Sequence, residues 1–268
     1  MRKNVIFMAV LCFFFQTVYA QDKQGFDITY TIKFLKDTAS TEFLEERARL
    51  LIHGENSLFI TQKKEMIDSI RYFNLDGSRF FGVSQHGFII LKDFKKQDIV
   101  HYEQFLLNTG IYTVTERMDA LDWQILPDTA TIAGYPCQKA EVSFGNRIWY
   151  AWFTQRVPIS DGPYKFCGLP GLIVNMNDAT NTWFFTLVSL KQEKTRPIDL
   201  SYLPSPTQLA KVDFFKTRRQ HKQNVVQINE STPSGVKFGM VGDTGNAKLM
   251  KKAEEGYKKD NNWIEKYD

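Results

Sequence analysis

From Phe26 to about Leu190 the chain alternates apolar and polar residues in short runs broken by turn residues. Phe26-Asp27-Ile28-Thr29-Tyr30-Thr31-Ile32 has a period of two, the pattern of a strand with one face in a core. Ser57-Leu58-Phe59-Ile60, Ile70-Arg71-Tyr72-Phe73, Gly87 through Leu91 and Ile111-Tyr112-Thr113-Val114 predict further strands, separated by turn residues such as Asn74, Asp76-Gly77 and Gly82. Phe43, Leu44, Ala48 and Leu51 repeat at helical spacing, so Glu42 to Leu51 reads as a helix, with a strand as the equal alternative. Many short strands with close turns indicate antiparallel pairing rather than βαβ units. The expected fold is mainly β: a curved antiparallel sheet or an open barrel or sandwich, with a few helices, chiefly C-terminal.

The pattern is sharpest between Gln138 and Thr154. Lys139 to Phe144 alternates, Gly145-Asn146 suits a two-residue primed turn, and Arg147 to Phe153 returns. That register sets Val142 opposite Trp149 and Glu141 opposite Tyr150. The returning arm is apolar at nearly every position, which predicts a strand buried on both faces. A second hairpin, Ile173–Met176 with Trp183–Val188, is closed by Asn177 to Asn181. Between the two lies Gly168-Leu169-Pro170-Gly171-Leu172-Ile173. Pro170 fits the second position of a type II turn, and Gly171 supplies the positive φ of its third. Nothing in this hexapeptide can act as nucleophile, acid or base, so it reads as an architectural corner.

Beyond Leu190 the pattern breaks. Lys191 to Ser205 has the prolines and charges of a linker, and Ser205-Pro206 predicts the start of a helix running to about Lys222. Ser231 to Gly245 is rich in turn residues, and Leu249, Ala253 and Tyr257 mark one stripe of a helix over Ala247 to Lys259. Residues 21–204 therefore read as a β-rich domain, and residues 205–268 as a helical or irregular region packed on it.

At the other end, Arg2-Lys3, the apolar run Val5 to Phe15 and Val18-Tyr19-Ala20 have the form of an export signal, residues 1–20, cleaved near Ala20. The run is shorter than the roughly 20 residues a spanning helix needs. The mature chain then carries no transmembrane segment and lies in the periplasm, the outer envelope or outside the cell. The 268 residues hold 34 Lys and Arg against 30 Asp and Glu; loss of Arg2 and Lys3 leaves the balance nearly even. That excludes long-range attraction to nucleic acid or anionic lipid as an organising feature. Basic clusters at Lys216–Lys222 and Lys248–Lys252 read as solvated helix faces, the alternative being a polyanion site. Cys137 and Cys167 remain after the leader is lost, and export predicts a disulfide between them, worth about 3–4 kcal/mol. A reactive thiol pair is the alternative, without the C-x-x-C spacing that would support it.

Signals of chemistry are few. His53, His86, His101 and His221 show no zinc spacing, and there is no G-x-S-x-G elbow or phosphate loop. Asp119, Asp122, Asp128 and Asp161 sit near turn signals, where capping is the default role. No catalytic residue, metal site or cofactor is indicated.

Taken together, Gly134-Tyr135-Pro136-Cys137-Gln138-Lys139-Ala140, Ala151-Trp152-Phe153-Thr154, Pro158-Ile159, Gly162-Pro163 and Gly168 to Ile173 resemble the GLPGLI family, exported bacterial proteins named for the hexapeptide. The resemblance covers Gly134 to Ile173. It implies a signal peptide and a β-rich fold, and it implies no activity. With 22 Phe, 11 Tyr and 5 Trp, the chain has aromatic surface enough to line a groove, and Trp149, Tyr150 and Trp152 form the candidate binding surface. The expected function is non-enzymatic binding of an apolar ligand, a peptide or an envelope protein on a β-sheet groove. The competing classes are a hydrolase whose acidic or histidine residues are assembled by the fold, and a structural module docked to an envelope assembly through residues 205–268.

Overall fold

The computed structural model describes residues 23–73, 87–104, 110–223 and 260–267. The expected leader, residues 231–245 and the helix over 247–259 lie outside the described residues. Twelve strands form one sheet: β1 (Lys23–Leu35), β2 (Phe43–His53), β3 (Asn56–Thr61), β4 (Ile89–Asp93), β5 (Asp98–Glu103), β6 (Tyr112–Arg117), β7 (Gln124–Ile132), β8 (Tyr135–Phe144), β9 (Arg147–Thr154), β10 (Leu172–Asp178), β11 (Trp183–Thr195) and β12 (Thr207–Gln208). Among the described residues two α-helices accompany them, α1 (Gln62–Phe73) and α2 (Lys211–Gln223).

The strand order is β12-β6-β5-β4-β3-β2-β1-β11-β10-β9-β8-β7. β1 is thus the centre, flanked by two meanders, β2 to β6 on one side and β7 to β11 on the other. Every pairing is antiparallel except β12 with β6. The order carries a geometric consequence. β6 and β7 are ten strand spacings apart in the sheet, roughly 48 Å if it were flat. Only residues 118–123 join them, a reach of about 25 Å fully extended. The sheet must therefore curl until its two ends approach. Its inner face shows the same bend: Phe59 on β3 and Phe185 on β11 have ring centroids 6.4 Å apart although two strands lie between them.

The concave side holds the core. Ile28, Tyr30, Ile32 and Phe34, the alternate residues of β1, are all fully buried there, with Ala48 and Leu50 of β2. The interior is filled by residues 155–171, between β9 and β10, and by the C-terminal segment 260–267, which contributes the fully buried Ile264. Among the described residues, no helix is long and apolar enough to cross a membrane.

The hairpin of β8 and β9 has the expected register, with Val142 opposite Trp149 and Glu141 opposite Tyr150. Gly145 (φ 63°) and Asn146 (φ 55°) both have the left-handed conformation of a type I′ turn. β10 and β11 form the second hairpin.

One open alternative is decided and three expectations are corrected. Phe43–His53 form strand β2, the strand reading of that stretch, because Ala48, Leu50 and Ile52 alternate into the core. Ile70 to Phe73 end helix α1 instead of forming a strand. Three apolar or aromatic residues in a run of four do not separate the two periods, and the helix is set by its start, where Glu65 stands in the first turn and Ile67 is buried. β9 is buried on one face only, with Ile148 45% exposed on the other. Helix α2 begins at Lys211, not at Ser205: Thr207 N–H donates to Ile111 O and Leu209 N–H to Thr113 O, both at 2.8 Å, so this stretch extends the sheet edge first.

Candidate functional site

The signature residues build a corner. After β9 the chain folds inward, and Asp161 meets Lys92 of β4 with Nζ–Oδ1 at 2.5 Å, both side chains fully buried. Lys92 Nζ also donates to Gly162 O (2.8 Å) and Phe166 O (3.2 Å), so its three protons have three acceptors. Asp161 Oδ1 further accepts from Gly162 N–H at 2.7 Å. Gly162 has no room for a side chain, since a Cβ would lie 2.7 Å from Ile173 Cδ1. The Pro163 carbonyl accepts from Phe166 N–H at 3.1 Å. On the far side of the corner, Tyr30 of β1 donates its hydroxyl to Ile173 O at 2.7 Å. Leu169, Leu172 and Ile173 are buried in the same core.

The turn itself is not type II. Gly171 N–H bonds to Leu169 O at 2.8 Å, a three-residue turn centred on Pro170, whose fixed φ suits it. Gly171 has φ 154°, far from the value near 80° of a type II third position. Glycine is required there chiefly by space: a Cβ would sit 2.6 Å from the Thr154 carbonyl carbon and nearer still to its oxygen. The left-handed residue of the motif is Gly168 (φ 96°), beside the Trp123 indole. Gly134 (φ 82°) serves the tight turn into β8, followed by half-buried Tyr135.

The expected disulfide is absent: Cys137 and Cys167 are both free and buried. The Cys137 thiol is turned to Tyr135 O at 3.3 Å within β8. Cys167 is held through its carbonyl, which accepts from Trp123 Nε1 at 2.8 Å. Burial pushes the Cys167 thiol up to about 12 and also raises Cys137, so both are protonated and poor nucleophiles.

The expected aromatic surface divides. Trp149 is fully buried, its Nε1 bonded to Phe144 O at 3.1 Å and its ring 5.0 Å from Phe166, and it belongs to the core. Tyr150 and Trp152 are half-buried on the opposite face, where Lys139 Nζ lies 4.6 and 5.8 Å from their ring centroids.

A cavity lies elsewhere, on the outer face of β2 and β3. Leu51, Leu58 and Ile60, which alternate with the core residues, form its apolar floor. α1 stands along one side, and residues 193–202 cross the other, bringing in Ile198 and Tyr202. The enclosed volume is about 570 Å³, within the range that takes small organic ligands. Its rim is charged. Arg49 pairs with Asp27 at 2.8 Å and Glu65 at 2.5 Å, and the Asp27 hydrogen bonds hold its guanidinium above the ordinary value. Asp68 pairs with Lys64 through one oxygen, while its buried Oδ2 accepts no hydrogen bond. His53 Nδ1 lies 3.0 Å from Thr195 Oγ1. Burial, reinforced by Asp68 and Glu65, raises the Tyr202 phenol, which stays protonated. Glu65 and Asp68 each face a cation, Asp199 accepts from Ser201 N–H at 2.8 Å, and Glu193 completes the acidic lining, so the cavity offers an apolar floor with acceptors and donors around it. Sequence reasoning missed these residues. The one available signal was Arg49 alternating with Leu51, masked by the helical reading of that stretch.

The fold and cavity define an open, curled, mainly antiparallel sheet protein with a filled interior and an outer-face pocket. A family described as a protein of unknown function (Porph_ging) matches residues 145–175, the second arm of the hairpin through the corner. No curated protein matches the chain. Among solved structures, PNGF-II in its C2 and P21 crystal forms is similar, with TM-scores of 0.55 and 0.54, 15% identity, and coverage of 75% of this chain and 34% of that one. The chain thus spans about a third of PNGF-II, and the likeness concerns the fold alone. A DUF1329 family protein from Desulfovibrio piger aligns over 69% of this chain and 93% of its own at a TM-score of 0.28 and 8% identity.

Proposed function

We propose that this chain is an exported, non-enzymatic protein of the cell envelope, a member of the GLPGLI family, that holds an apolar or peptidic ligand in the cavity between β2, β3, α1 and residues 193–202. The observation that carries the reading is the cavity's composition: three aliphatic side chains on the floor, and in the wall the Asp68 carboxylate with one oxygen, Oδ2, that accepts no hydrogen bond. An apolar ligand gains by covering Leu51, Leu58 and Ile60, and a peptide gains further by donating to Asp68. Export rests on the N-terminal pattern, and N-terminal sequencing of the mature protein should begin at Gln21. The cavity is tested with 1-anilinonaphthalene-8-sulfonate as probe. Saturable fluorescence enhancement is expected for the wild-type protein, weakened at least tenfold by Leu51→Trp at the floor and by Ser69→Trp at the exposed rim. Unchanged dye affinity in both variants, with the unfolding midpoint retained, overturns the assignment.

A further inference from the structure

The interior of the sheet is completed by a segment that belongs to no strand or helix, residues 260–267. Its burial is nearly total at Asn262, Ile264 and Glu265. The way it is held is unusual for a packed tail. Groups of the sheet read its main chain one carbonyl after another: Trp183 Nε1 donates to Asn262 O at 3.0 Å, and Arg147 donates to Trp263 O through Nε at 2.9 Å and Nη2 at 2.7 Å. Lys266 N–H donates to Gly145 O at 2.8 Å in the turn between β8 and β9, while Asn146 returns a bond to Lys266 O. At the other end, Asn261 N–H and Asn262 N–H both donate to Lys36 O.

Two side chains supply selectivity. Asn262 Nδ2 donates to Leu35 O at 2.7 Å, and its Oδ1 accepts from Arg147. Glu265 pairs with the fully buried Lys165 at 2.7 Å and accepts from the Tyr164 hydroxyl. Ile264 fills the apolar space between them. Main-chain bonds that give affinity, with an amide, an aliphatic and an acidic position read individually, are the physics of peptide recognition.

We infer that the concave end of the sheet is a recognition site for a peptide of the form Asn-x-Ile-Glu that bends at its Ile-Glu step, and that the chain's own C-terminal segment is its resident, exchangeable ligand. The site is separate from the outer-face cavity and stands or falls independently of it. Arg147 is also paired with Asp178 at 2.7 Å and Lys165 with Glu116, so these two receiving groups keep a partner outside the segment. Gly145 is part of the receiving surface, because a Cβ there would lie 2.9 Å from Glu265 Cα.

The test uses the full-length chain. Asn262→Ala weakens the resident segment without altering the groups that receive it. A fluorescently labelled synthetic peptide of residues 260–268 is then titrated into both proteins. It is expected to bind the Asn262→Ala chain at least tenfold more tightly than the wild-type chain, where the tethered copy competes. A peptide carrying the same alanine is expected to bind at least tenfold more weakly. A folded Asn262→Ala chain that binds neither peptide, or both equally, overturns the inference. If that variant does not fold, hydrogen exchange on the wild-type protein decides: the amides of Asn261, Asn262 and Lys266 are expected to exchange at least tenfold faster than those of β1 and β11. Equal protection of the two sets overturns it.

Discussion

Asp161 and Lys92 are more consequential as residues than their turn-like sequence context implies. Removing one partner strands a charge in a site without water, which costs about 3–5 kcal/mol, whereas apolar replacement of both is far milder. Asp161→Ala should accordingly lower the urea midpoint sharply, and Lys92→Met with Asp161→Leu should restore most of it. Gly171→Ala should cost about 3 kcal/mol through overpacking against the Thr154 carbonyl, read from the same unfolding curve. His101 is a further case. It is fully buried between Lys165 of the corner and Arg218 of α2, packed on Phe88, Tyr164 and Phe214, with Glu103 Oε2 at 3.6 Å. Burial, then the charges of Lys165 and Arg218, push its pKa well below 6.5, so the folded protein holds it neutral. The unfolded chain takes up that proton as pH falls below 6.5, so stability drops on the acid side by up to about 1.4 kcal/mol per pH unit. His101→Phe should flatten that limb of the stability–pH curve while leaving the neutral region intact. The need for glycine at 171 was legible in the sequence, but the ion pair and the histidine were not, because a buried ion pair and a depressed histidine are made by neighbours distant along the chain.

Elements were legible where one period dominated. β1 and the β8–β9 hairpin announce themselves through strict alternation and the Gly145-Asn146 turn, and the observed register follows from those residues alone. Legibility failed where two periods fit. In β2, Phe43, Leu44, Ala48 and Leu51 mimic a helical stripe, but the residues that enter the core are Ala48, Leu50 and Ile52. In α1, Lys64 and Asp68 lie four apart and pair on the helix surface, a relation that a search for strands overlooks. Since α1 and β2 enclose the cavity, misreading the one and leaving the other undecided concealed the candidate site. The hexapeptide forms a corner, as its residues indicate, but with a tighter turn than they suggest. Pro170 suits both a three- and a four-residue reversal, and Thr154 on the neighbouring strand leaves no room for a side chain at Gly171.

At the scale of the molecule, curvature was expected from the many short strands, but its degree comes from the connection between β6 and β7, which no local pattern reveals. The curl brings the ends of the sheet toward each other without joining them into a barrel, and β7 is left as a rim whose residues are mostly exposed. Pro127 sits within that rim, and the register with β8 is interrupted between Ile125 and Thr129. A missing amide and a broken ladder are the devices that keep one copy from zipping onto another. Pro127→Thr should restore a continuous hydrogen-bonding border, detectable as concentration-dependent association by light scattering while the wild type stays monodisperse. An imino acid in an otherwise undistinguished strand would then act as a guard on solubility in a crowded compartment, where an unprotected border would seed fibres.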